Sequence, residues 1–184
     1  MTTASTSTQS PSERGRLLVS QLDLIWSLFE HYLVDLDDDA LFWEPAPGAW
    51  NVRQDAQGKW VSDWQVPEPD PAPTTSIAWI AWHIGFWWTA THRHCFASVE
   101  VERQEIVWPG RAEEVVAWLR GLRDEWRAEL VQLTDEELDS PDQVYGLTWA
   151  EGLKLVDVAA WVNFELAKNV SEIGVTARLR RAVG

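Results

Sequence analysis

One cysteine, one methionine, two tyrosines and few basic residues are what this 184-residue chain has least of. A single thiol, Cys95, excludes an intramolecular disulfide and suits a reducing compartment. Fifteen Lys and Arg against twenty-nine acids leave a net charge of −14. That balance argues against a nucleic-acid partner, which needs clustered cations, and against anionic membrane surfaces. No long hydrophobic run is present. The most apolar stretch, Ile77 to Ala90, is about fourteen residues long, contains His83 and is too short to span a bilayer. Met1 to Pro11 is Ser/Thr-rich, with neither a basic start nor an apolar core. It reads as a flexible polar leader, not a targeting signal, so a cytoplasmic location is the expectation. Also missing are G-x-S-x-G, a phosphate-cradling glycine loop, a dinucleotide fingerprint and paired cysteines.

What is there is a hydrophobic fraction of 46%, enough for one core, and fourteen tryptophans, which imply large aromatic contact areas. Residues 12–184 read as a single all-α domain of four helices, with no strand expected. The first opens with Ser10 as N-cap, Pro11 in the first turn and Glu13 for a capping box, and carries an apolar stripe of Leu18, Leu22, Ile25, Phe29 and Tyr32. His31 falls on the opposite side. The second runs from about Thr75 to Val99, with Trp79, Ile80, Phe86, Trp87 and His94 on the face of His83, and His92 opposite. His83 and His94 lie three turns apart, about 16 Å, too far to share one ion. The third spans about Arg111 to Leu133. The segment before it can stretch to about 35 Å, which allows the second and third helices to be parallel neighbours. Thr148 and Glu151 form a second capping box for a last helix reaching about Arg180, apolar on nearly every side and so expected to be surrounded by protein.

Leu36 to Pro73 breaks the helical pattern. It is acidic, holds six of the nine prolines and contains Trp43, Trp50, Trp60 and Trp64. Disordered linkers are poor in aromatics, so this reads as a crossover arm between helices one and two, laid over the bundle and pinned by its tryptophans.

One constellation carries chemistry. Glu165, Asn169 and Glu172 stand at i, i+4 and i+7, a polar column on an apolar helix. Buried carboxylates are costly unless paired or bound to metal, and His83 is an imidazole on an aromatic face. If helices two and four pack together these groups can converge, either as a ligand or metal site or as a hydrogen-bonded network that sets helix register. Cys95 beside His94 reads as a buried structural thiol, because neighbours on a helix do not face each other.

The runs "LFWEPAPGAWNVR" from Leu41, "TTSIAWIAWHIGF" from Thr74 and "WVNFELAKNVSEIG" from Trp161 resemble the actinobacterial branch of the DinB/YfiT-like superfamily. The resemblance implies a four-helix bundle in up-down-down-up order, often dimeric, with a divalent metal near its mouth. It also implies, for some relatives, a thiol-dependent transferase or isomerase activity using bacillithiol, mycothiol or glutathione. Carried over residue by residue, His83 matches the helix-two ligand, Glu165 the first ligand of the last helix, and Asn169 the position where a second histidine is expected. An amide oxygen is a poor ligand for zinc or nickel, so the implied metal site is degenerate, with Glu172 one turn further on as a substitute.

Two functions follow as expectations. One is a metal- and thiol-dependent transferase, zinc or nickel holding the thiolate, with Trp43, Trp50, Trp79 and Trp87 lining the pocket. The other is a non-catalytic small-molecule binding or interaction module with a metal-free polar core. A homodimer is expected, because Trp82 and Trp88 point away from His83.

Overall fold

The computed structural model describes residues 12–34 and 36–183. In chain order the elements are α1 (Glu13–Leu33), a short α2 (Asp38–Leu41), and strands β1 (Val52–Gln54) and β2 (Trp60–Ser62). Then come α3 (Ile77–Ala97), α4 (Ala112–Gln132), a short α5 (Asp135–Asp139) and α6 (Leu155–Val183). The four long helices enclose one core whose fully buried members include Leu22, Phe29, Ile80, Leu119, Trp126, Leu130, Leu155 and Leu166.

Helix α1 is capped by Ser12, whose Oγ accepts the N–H groups of Arg14 and Gly15 at 3.0 and 3.3 Å. The expected cap, Ser10, and the polar leader lie outside the described residues. Along α1 and α4, Arg127 pairs with Asp23 at 2.8 Å and Arg120 with Glu30. Helices α3 and α4 meet where Gly85 faces Trp118: a Cβ there would sit 1.8 Å from the ring, so only glycine admits this approach.

Four expectations need correction. First, a hairpin does form. Its antiparallel strands are three residues each, too short for an alternating pattern to register, and it is closed by Asp55, whose carboxylate accepts the N–H groups of Gln57 and Lys59. Second, Thr148 does not open the last helix. Thr148–Ala150 is an isolated 3-10 turn, Gly152 follows at φ +79°, and α6 starts at Leu155, with Asp157 accepting the Lys154 N–H at 3.0 Å.

Third, α6 is not surrounded. Val158, Val162, Leu166, Val170 and Ile173 are buried, but Phe164 is 67% exposed and Val175 and Leu179 are also on the outer side. Fourth, Trp82 and Trp88 are interior, 2% and 4% exposed. The arm covers Trp82 through Trp64, ring centroids 5.9 Å apart, and α1 covers Trp88 through Trp26 at 6.0 Å.

The arm is tied to the start of α3 by backbone. Trp50 N–H donates to Thr74 O at 2.8 Å, and Ser76 N–H returns to Trp50 O at 2.9 Å. Buried Asn51 locks the junction: its Oδ1 accepts from Ser76 Oγ at 2.7 Å and its Nδ2 donates to Phe42 O at 2.9 Å. Ser76 in turn caps α3 through the Trp79 N–H.

Candidate functional site

His83 stands on the second turn of α3, with Trp79 and Trp87 one turn away on either side of the same face. Trp79 lies nearly parallel to the imidazole at 4.9 Å and Trp87 meets it edge-on at 6.1 Å. The arm delivers a third ring, Trp64, at 6.4 Å. Within this aromatic box Nδ1 is buried without a hydrogen-bond partner. Burial, and secondarily the positive charge of Lys168, push the imidazole down to about 4. At neutral pH the ring is therefore uncharged, free to accept or donate at Nε2.

Facing α3, α6 presents Glu165 and Asn169 one turn apart. Both line a crevice with Ile84, Trp87, Trp88 and Trp161, about 10 Å³ in volume, room for about one water. Asn169 is 3% exposed, and among the described residues its amide has no hydrogen-bond partner within 3.5 Å. Glu165 is paired with Lys168, Nζ to Oε2 at 2.6 Å. Glu172 is an exposed residue whose carboxyl is pushed up by partial burial, with Glu165 adding to the shift and Lys168 opposing it.

The structure thus brings Glu165 and Asn169 into one crevice. His83 stands beside it, outside its lining, with no hydrogen bond to either or to Glu172. Among the described residues no group of three His, Cys, Asp or Glu side chains is placed to hold a metal ion. Of the expected pocket tryptophans, Trp50 packs on Trp79 at 5.3 Å, and Trp87 on Trp161 at 5.7 Å. Trp43 is half-buried and joins no ring contact.

Sequence reasoning missed Trp64, Trp161 and Lys168. Only Lys168 left a signal, an opposite charge three residues after Glu165. The remaining titratable candidates play structural parts. His94 Nε2 lies 3.0 Å from Tyr145 O, and His92 packs against Trp126. The Cys95 thiol is pushed up to about 12 by burial, which leaves almost no thiolate at neutral pH.

These features define a helical protein with an imidazole, a lysine-paired carboxylate and a buried amide where its third and sixth helices meet. The chain belongs to the DinB superfamily, whose model matches residues 60–173, a span that includes His83, Glu165, Asn169 and Glu172. No curated protein and no solved structure gives a significant match.

Proposed function

We propose that this DinB-superfamily protein is a metal-free small-molecule binding or interaction module on an up-down-down-up four-helix bundle. Residue pairings support that topology. Leu18 meets Asn163 and Tyr32 meets Gly174, so α1 and α6 run the same way. Asp23 pairs with Arg127 and Glu30 with Arg120, so α1 and α4 run oppositely. Gly85 faces Trp118 and Phe96 faces Trp126, so α3 and α4 are parallel.

The observation that carries the metal-free reading is the Lys168–Glu165 ion pair. The ammonium neutralises the one carboxylate that a metal would use there, and its charge already disfavours a cation at His83. Asn169 adds only an amide, a weak donor for zinc or nickel. This donor set does not fit a zinc or nickel ion. What supports a binding role is a neutral imidazole and, in the crevice beside it, a buried amide, with tryptophan around both.

A second reading, a metal- and thiol-dependent transferase or isomerase, is favoured by one feature: a neutral, accessible imidazole is the form that ligates metals. Titrating Asn169→His with zinc and nickel separates the two. On the metal-free reading the variant shows no saturable metal binding. It loses about 1–3 kcal/mol of stability, because a larger ring overfills a crevice with room for about one water. A gain of at least about tenfold in metal affinity, or about 1.4 kcal/mol, that disappears when His83→Ala is added would establish the metal reading instead.

Assembly as a two-fold homodimer is also proposed, through a different face from the one expected. Leu17, Leu24 and Leu28 recur at helical spacing on α1, and Phe164 and Val175 on neighbouring α6, all exposed in the single chain. Light scattering is expected to give twice the 21.0 kDa of one chain, and Leu24→Glu with Phe164→Glu to return it to 21.0 kDa. A monomer mass for the parent protein at micromolar concentration contradicts the proposal.

A further inference from the structure

A second cleft, about 200 Å³, is lined by residues of β2 and of the 3-10 turn Arg103–Glu105. Trp60, Trp64 and Trp82 form its apolar walls, and Lys59 and Arg103 both line it. Among the described residues neither cation pairs with a carboxylate: Lys59 bonds a backbone carbonyl and Arg103 stacks on an indole. Lys59 Nζ makes one hydrogen bond, to Gln104 O at 3.3 Å, leaving two N–H donors unused. The Arg103 guanidinium sits over the Trp64 ring, 4.5 Å from its centroid, which engages its face and leaves its N–H edge free. The adjacent Glu105 carboxylate is turned away, accepting the Glu102 N–H at 2.7 Å. The Trp64 indole N–H is buried and unpaired as well.

Two positive charges lining one small cleft favour an anion there. A planar guanidinium edge matches a carboxylate with two parallel hydrogen bonds, and indole walls favour a flat ring. We propose that this cleft binds a small aromatic carboxylate: one ring against the tryptophans, its carboxylate on Arg103 and Lys59. The site is separate from the His83 crevice and stands whether or not that crevice binds a ligand.

Calorimetric titration of the full-length protein with benzoate tests it. Benzoate is expected to bind with a Kd of about 1 mM or tighter, about −4 kcal/mol, which is reasonable for a ligand of this size. Benzamide, which keeps the ring and loses the charge, and acetate, which keeps the charge and loses the ring, should each bind at least about tenfold more weakly. Arg103→Gln and Lys59→Gln should each weaken benzoate at least about fivefold, and Arg103→Lys, which keeps the charge without the fork, should fall between parent and Arg103→Gln. No benzoate heat at millimolar concentration, equal affinity for benzamide, or unchanged affinity in folded Arg103→Gln and Lys59→Gln would overturn the proposal. Tight binding of phenyl phosphate with none of benzoate would overturn the assignment to a carboxylate.

Discussion

Trp126→Ala is expected to cost about 3–5 kcal/mol, a large part of the stability of a domain this size. Trp126 is 1% exposed and sits two-thirds along α4, where its ring meets Phe96 of α3 at 5.8 Å. His92 of α3 lies edge-on to it at 6.5 Å. Truncation empties the α3–α4 contact of its largest enclosed side chain. Trp126→Phe should cost distinctly less. It keeps much of the apolar volume and removes an indole N–H that is buried without a partner. Arg127→Ala, which breaks only the half-exposed pair with Asp23, should cost about 1 kcal/mol or less. Urea midpoints for the three variants check the order. A loss below about 1 kcal/mol for Trp126→Ala would contradict the packing described.

Between pH 7 and pH 4.5 the parent protein is expected to lose about 2–3 kcal/mol more stability than His83→Phe. Above the unfolded value of about 6.5 the imidazole is neutral in both states and contributes no pH dependence. Below it the unfolded chain takes up a proton that the folded chain refuses until about pH 4, so stability drains away across that window and levels off beneath it. Phenylalanine fills the same aromatic box without a proton to bind. The carboxylates titrate alike in both proteins and cancel in the difference. Parallel pH profiles would mean that His83 is not held neutral by burial.

Helices α1, α3 and α4 were legible because each carries a stripe repeating over five turns, and a pattern of that length outweighs local noise. The start of α6 was not. Thr148 and Glu151 satisfy a capping-box spacing, but the backbone turn at Gly152 intervenes, and nothing in residue type distinguishes a 3-10 turn from a first helical turn. Trp82 and Trp88 looked superfluous on a helix considered alone. They are interior because the arm and α1 each supply a covering tryptophan, a tertiary fact without local signature. His83, Glu165 and Asn169 were found through buried polarity on apolar helices, which does survive into the fold. What escaped was the partner. Lys168 was no part of the column, yet its flexible stem carries the ammonium onto Glu165.

We propose that Lys168 holds the place of a metal cation in this DinB-superfamily protein. Calorimetric titration of the unmodified protein, purified without an affinity tag or added metal, with zinc and then nickel tests it most directly. The account predicts no saturable heat for either ion at micromolar protein concentration. A one-to-one isotherm with a Kd of about 10 µM or tighter, about −7 kcal/mol, that is lost in His83→Ala would contradict it.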